Sequence, residues 1–272
     1  MRAWFVSDIH LRGRKDPRSQ QFADFLVDLA KGSLGEVTHL FLVGDVFDLW
    51  VGRGAHLVDE YSEIVTAIRD LRARGIEVHY FEGNHDLHLS SFWEKDLGID
   101  IHSEPAEFQL GSLRVRVEHG DQMNPQDRGY IFLRWLLRTR VIKVLVRTLP
   151  SLWVSTIGSS MSRISRRWTH GSVGAASGSA INDVRNQSIR EMIERHVRAL
   201  TDLRKGSTPF DFLISGHVHV RDDRTFSFSG RPLRSINLGC WPGADRYDRS
   251  REEAMAFVLA DTQTEWISIR NR

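Results

Sequence analysis

Short apolar runs of similar length recur along the chain, and each stops at a polar cluster. RAWFVSDIH ends at Asp8 and His10; THLFLVGDVFD ends at Gly44, Asp45 and Asp48; VHYFEGNHD ends at Gly83, Asn84, His85 and Asp86. Further on, LRVRVEHGD ends at His119 and Asp121, and FDFLISGHVH ends at His217 and His219. These runs are rich in Val, Ile, Leu and Phe and are closed by turn formers, a pattern that predicts strands rather than helices. The segments QQFADFLVDLAKG and YSEIVTAIRDLRARG carry helical periodicity between them, the second stopping at Gly75. Strand, helix, strand predicts crossover units over a sheet, and such sheets place their sites beyond the carboxyl ends of the strands.

After His219 the pattern changes. RTFSFSG, LRSINLG, EAMAFVLAD and EWISIRNR alternate or run apolar with short connections, predicting antiparallel strands of a second sheet packed on the first. The stretch from Asp127 to about residue 204 fits neither scheme. It reads as a helix over GYIFLRWLLRTRVIKVLVRT, a break at Pro150, a second helix to Trp168, the small-residue loop GSVGAASGSA and a long helix from Ile181. The expectation is a core of residues 1–126 and 205–272, with 127–204 inserted as a helical cap over the strand ends.

Composition and charge narrow this picture. At 272 residues with 41% hydrophobic and 26% charged side chains, the chain is long enough for a substantial core and has no fibrous or low-complexity character. Cys240 is the only cysteine, which excludes an intrachain disulfide and thiolate metal clusters. No apolar run reaches membrane-spanning length, and Asp8 interrupts the N-terminal one, so a cytoplasmic protein is expected. The net charge of +2 conceals Arg134, Arg138, Arg140, Lys143, Arg147, Arg163, Arg166 and Arg167, which lie between Ile131 and Trp168 without one acidic residue. Interleaved with Trp135 and aliphatic side chains, that charge suits anionic lipid headgroups and a peripheral place on the inner face of the cell membrane. A basic face also suits nucleic acid, or is merely solvated; neither of these needs the apolar residues. The pattern leaves the oligomeric state open.

The strand-end residues Asp8, His10, Asp45, Asn84, His119, His217 and His219 form a set of carboxylate, amide and imidazole donors. Such a set suits divalent ions such as Mn²⁺, Fe²⁺ or Zn²⁺. Seven donors exceed what one open catalytic ion uses but suit two ions bridged by a carboxylate, for which Asp45 is the candidate. Paired ions polarise phosphoryl oxygens and activate water near neutral pH, so phosphoester or phosphoanhydride hydrolysis is the expected reaction class. Asn84 offers a neutral ligand. His85 follows it directly, and Asp86 is expected to hydrogen-bond the His85 ring. The histidines His39, His56, His79, His88, His102, His170 and His196 show no comparable spacing and are expected to be structural or solvated, as are Trp50, Trp241 and Cys240.

Asp8-x-His10, Gly44-Asp45-x-x-Asp48, Gly83-Asn84-His85-Asp86, His119-Gly120-Asp121 and Gly216-His217-x-His219, in this order, resemble the calcineurin-like metallophosphoesterases. The resemblance implies an α/β fold, a four-layer αββα sandwich. It places Asp8, His10, Asp45 and His219 on one ion, with Asp45, Asn84, His119 and His217 on the other, and it makes His85 the candidate general acid, with Asp86 as its catalytic partner. SDIHL, GDVFDLW, Asp127-x-Gly129-Tyr130, AINDVRNQSI, GHVH and NLGCW further resemble the UDP-2,3-diacylglucosamine pyrophosphohydrolases of lipid A biosynthesis, over most of the chain. Members of that family use Mn²⁺ and a cap that holds acyl chains, releasing UMP and 2,3-diacylglucosamine 1-phosphate. The likeness implies a lipid-linked sugar nucleotide as substrate and Asn84, His85, Asp127, Tyr130 and His217 as contacts to it. The chain carries His85 where well-known members have arginine. Two other readings remain at this point: a metallophosphodiesterase acting on another nucleotide, a phosphoprotein or nucleic acid, and a non-catalytic module docked on a membrane.

Overall fold

The computed structural model describes residues 1–142, 144, 179–202, 210–228, 230–243, 253–261 and 263–270. Two sheets face one another. The first has six strands in the order β13-β12-β1-β2-β4-β6: β1 (Arg2–Val6), β2 (His39–Val43), β4 (Glu77–Phe81), β6 (Asp100–His102), β12 (Met255–Ala260) and β13 (Gln263–Ser268). The second has five, in the order β10-β11-β9-β8-β7: β7 (Ala106–Leu110), β8 (Leu113–Val117), β9 (Phe212–Ser215), β10 (Asp222–Phe228) and β11 (Arg231–Asn237). A small parallel pair, β3 (Trp50–Val51) and β5 (Asp86–Leu87), links two of the loops at the strand ends.

Period-2 alternation builds the layers. On β1, Trp4 and Val6 face one way and Ala3 and Phe5 the other; on β2 the pairs are Leu40 with Leu42 and Phe41 with Val43. Trp4, Val6, Leu40 and Leu42 meet the apolar faces of α1 (Pro17–Lys31) and α3 (Ser62–Ala73) through Phe22, Leu26, Ile64 and Ile68. Phe5, Phe41 and Val43 meet Val115, Val117, Ile214 and Ile236 of the second sheet. Between α1 and α3 lies α2 (Ala55–Glu60), and α4 (Trp93–Leu97) precedes β6. α1 begins at Pro17 behind an Asp16 cap and stops at Gly32, whose φ of 73° ends the helix.

The final strands differ from expectation. β10 and β11 do join the second sheet, but β12 and β13 join the first, β12 running antiparallel to β1 with Arg2 opposite Ala260. Alternation identifies a strand's buried face but not its neighbour, and the buried run MAFVLA fits either sheet. The region 127–204 is described through α5 (Arg128–Leu137) and α6 (Ser179–Asp202). Ile193 and Val197 of α6 pack with Leu213 and Leu233 on the second sheet, so this half of α6 covers the outer face of that sheet. The expected helix up to Trp168 and nearly all of GSVGAASGSA lie outside the described residues. So do Lys143, Arg147, Arg163, Arg166 and Arg167.

Candidate active site

The carboxyl ends of β1, β2, β4, β8 and β9 converge, and backbone bonds tie their loops together. Asp8 N–H donates to Gly44 O at 3.1 Å, His10 N–H to Asp45 O at 3.0 Å, and Gly216 N–H to His119 O at 2.9 Å. Asp45 Oδ1 accepts from His85 N–H at 2.9 Å, and Asp8 Oδ2 from His217 N–H at 2.8 Å. The loops approach so closely that a Cβ at Gly83 would collide with the Asp45 carboxylate, and one at Gly216 with Ser7 and Asp8.

These contacts bring the predicted donors into two adjoining groups. Donor atoms of Asp8, His10 and His219 lie within 4.8 Å of one another, as do those of Asp45, His119 and His217. Asp45 Oδ2 stands between the groups, 3.8 Å from His10 Nε2 and 3.6 Å from His119 Nε2. Asn84 Oδ1 is 3.4 Å from His119 Nε2. Asp8, His10, Asp45, His217 and His219 all take left-handed backbone conformations, with φ between 51° and 71°. For non-glycine residues each costs about 1–3 kcal/mol, and strain of this kind gathers where side chains must be aimed.

The donor set fits divalent metal. Asp8 Oδ1 is buried and, among the described residues, faces only the imidazoles of the site, with His219 Nε2 3.2 Å away and His10 Nε2 3.9 Å away. His10 Nε2 and His219 Nε2 face each other at 3.2 Å. Burial and the neighbouring histidines hold His10 well below the usual histidine range. Burial and His119 lower His217 to about 4, so both imidazoles keep a lone pair for an ion. His119 goes the other way: against burial, Asp45, Asp8 and Asp121 raise it to about 9. That is the mark of concentrated negative potential. Nitrogen and oxygen donors without thiolate, grouped around a shared carboxylate, are what a pair of borderline-hard dications takes.

A calcineurin-like phosphoesterase profile matches residues 1–221. The chain belongs to that family. As a calcineurin-like phosphoesterase it is a metal-dependent hydrolase, and the paired sheets with helices outside them are the fold expected of it. Similar proteins include UDP-2,3-diacylglucosamine hydrolase of Stutzerimonas stutzeri, 27% identical over 87% of this chain and 89% of that one. The protein of the same name from Aeromonas salmonicida is 28% identical over 89% and 86%. Among solved structures, a dimetal phosphatase from Danio rerio aligns over 99% of each chain at 13% identity, with a TM-score of 0.43.

The remaining expected residues of this phosphoesterase are placed as follows. His85 lies beside the first group, its ring 4.8 Å from that of His10. Asp86 does not hydrogen-bond the His85 ring as expected. Its Oδ1 accepts from Gly83 N–H at 2.6 Å, and its Oδ2 from Val46 N–H at 3.0 Å and Tyr80 O–H at 2.6 Å. The carbonyl of Asp48 accepts from His85 Nδ1 at 2.8 Å instead and fixes the ring. Asp127 caps α5, accepting from Tyr130 N–H at 2.9 Å, and Tyr130 O–H donates to Asp121 at 2.8 Å with its ring 6.0 Å from that of His217. Trp50, Trp241 and Cys240 are buried packing residues.

Arg134 and Arg138 correct a second expectation. They do not form an open cationic rim: Arg134 pairs with Asp121 at 2.8 Å and Arg138 with Glu82 at 3.0 Å. Sequence reading also passes over Ser7, which donates to Asp8 Oδ2 and lies 3.0 Å from Val43 O. Asn237 donates to Gly216 O at 2.7 Å and holds the loop of His217. The place of Asn237, at the end of β11 directly after the buried Ile236, was the available signal.

Proposed function

We propose that the protein hydrolyses the pyrophosphate of UDP-2,3-diacylglucosamine, releasing UMP and 2,3-diacylglucosamine 1-phosphate, at the inner surface of the cytoplasmic membrane. The carrying observation is the reversed polarity of α5 beside a phosphoesterase site. Tyr130, Arg134 and Arg138, at i, i+4 and i+8, turn toward the site, whereas Phe132 and Trp135 are 60% and 61% exposed and stack at 5.7 Å. Ile131 and Leu136 extend that outward face. A helix normally buries its apolar stripe; one that presents it beside a hydrolytic centre offers acyl chains a surface, and Trp favours a membrane interface. The name shared by the relatives supports the same substrate. No helix among the described residues is long and apolar enough to cross a membrane, in keeping with attachment from one side.

In this reading Asp8, His10, Asp45 and His219 hold one ion, and Asp45, Asn84, His119 and His217 the other, with Mn²⁺ the preferred metal. Bound there, the ions supply Lewis-acid polarisation of the phosphoryl oxygens and activation of the attacking water. The protein's own residues do the rest. Asp48 O accepts from Nδ1–H of His85 and sets the orientation of the ring, and His85, acting as the doubly protonated imidazolium, gives its Nε2 proton to the leaving phosphoryl oxygen and is left neutral. Asp86 is a positioning residue: it binds Gly83 and Val46, the neighbours of Asn84 and Asp45. Asn84, His217, Asp127 and Tyr130 are, with His85, the contacts to the substrate.

The test is incubation of Mn²⁺-loaded protein with UDP-2,3-diacylglucosamine and mass analysis of the products. UMP and the diacylated sugar 1-phosphate are expected. Equal kcat/KM on UDP-glucosamine lacking acyl chains would refute the lipid assignment.

A further inference from the structure

The inward face of α5 meets two loops that lie on either side of the second donor group. Glu82 stands two residues before Asn84, and Asp121 two residues after His119; both carboxylates are buried, at 7% and 8% exposure. Arg138 Nη1 donates to Glu82 Oε2 at 3.0 Å, and its Nη2 lies 3.4 Å from the carbonyls of Glu82 and Gly83. Arg134 Nε donates to Asp121 Oδ2 at 2.8 Å, and Nη1 to Glu104 at 3.2 Å. Both arginines also reach the carbonyl of Ser103, at 3.2 and 2.9 Å, and so share one anchor on the segment after β6. At 13% and 12% side-chain exposure, these are enclosed contacts, not surface ion pairs.

We infer that Arg134 and Arg138 are positioning residues that clamp the Asn84 loop to the His119 loop, so that docking of α5 assembles the second metal half-site. The geometry is specific to one half. Asn84 and His119 are carried by the clamped loops, whereas among the described residues Arg134 and Arg138 make no hydrogen bond to the loops of Asp8 and His10. Planar guanidinium groups suit this task because one side chain can hold a carboxylate and backbone carbonyls at once, which an ammonium does less well. Partners one shell outside a metal typically govern its affinity about 10- to 100-fold. The inference rests on the two-ion reading of the site above. It adds that the helix offering an apolar face to lipid is, on its other side, part of the metal site's frame.

The experiment is Mn²⁺ titration of metal-stripped full-length protein, with free ion followed by electron paramagnetic resonance, for wild type, Arg134→Ala, Arg138→Ala and Arg138→Lys. Arg140→Ala, exposed beyond the same helix, is the charge control. Wild type and control should bind two ions, and each alanine variant should hold one at wild-type affinity and the other at least about tenfold more weakly. Arg138→Lys should recover only part of the loss. Hydrogen exchange should rise in peptides spanning 82–86 and 119–122 and stay unchanged in β1 and α1. If an alanine variant fails to fold, Glu82→Gln tests the clamp from the loop side, keeping the acceptor for Leu89 N–H at 2.8 Å while removing the charge. Wild type with two ions beside variants with the same two affinities overturns the clamp alone. Wild type that binds no Mn²⁺ overturns the site reading, and the clamp with it.

Discussion

Tyr80 donates its hydroxyl to Asp86 at 2.6 Å, and both side chains are shut off from solvent. The same carboxylate binds Gly83 and Val46, so this pair supports the loops of Asn84 and Asp45 together. Burial and the charge of Asp45 raise Asp86 to about 6, and the phenol works against that rise. Tyr80→Phe should lower the unfolding free energy by about 2 kcal/mol, the usual range for a buried hydrogen bond to a charged group. Asp86→Asn should cost more, because its amide nitrogen would face a backbone N–H. Urea unfolding monitored by tryptophan fluorescence measures both; a change below about 0.5 kcal/mol for Tyr80→Phe would show that the bond contributes little.

His85 differs from Asp86 in standing at the site itself, beside His10 and anchored by Asp48 O. His85→Ala should lower kcat by about 10²–10⁴-fold, the usual contribution of a proton donor, with KM changed only a few-fold. The loss should shrink on an activated aryl phosphodiester, whose leaving group needs no proton. Equal losses on both substrates would assign His85 to binding or structure rather than to proton transfer.

The site was more legible in the amino-acid pattern than its support. Asp8, His10, Asp45, Asn84, His119, His217 and His219 follow apolar runs directly, and strands in one sandwich bring their ends together; spacing and strand polarity were therefore enough to gather them. Contacts that depend on which loop lies opposite were not legible. Asp86 adjoins His85 in the chain, yet its carboxylate accepts from Tyr80, Gly83 and Val46, groups that only the folded loops bring to it. Arg134 and Arg138 read as lipid-facing cations because helical periodicity marks the two sides of α5 without saying which one meets the protein. Likewise MAFVLA reads as a buried strand but pairs with β1, a neighbour more than 250 residues away. Local pattern determines faces and ends, while partners are settled by long-range packing.

Phe132 and Trp135 provide the test of the outward face of α5. Replacing both with serine removes apolar area that would be covered by acyl chains, at about 25 cal/mol per Å². The ratio of kcat/KM on the diacylated sugar nucleotide to that on a soluble phosphodiester should fall about tenfold or more, and less protein should sediment with anionic vesicles. A ratio equal to that of wild type would remove acyl recognition from this face.

Away from the site, His79 predicts how stability responds to acid. It sits on β4 with its ring 4.8 Å from those of Phe41 and Phe108 and 5.5 Å from that of His102, and its Nε2 is buried without a hydrogen bond among the described residues. Burial and the charge of His102 lower it to about 4, against the pull of Asp100. The unfolded chain takes up this proton near pH 6.5 while the folded one resists it until about pH 4, so the unfolded state binds more protons throughout that window. The contribution of His79 is therefore complete above pH 6.5, falls as the pH drops toward 4, and changes no further below that. Over the window the loss is on the order of 2 kcal/mol. His79→Phe keeps the ring stack and removes the proton site. Its unfolding free energy relative to wild type should rise by about that amount between pH 7 and pH 4.5 in urea titrations. A difference that stays constant with pH would mean that the folded protein takes up the proton as readily as the unfolded chain.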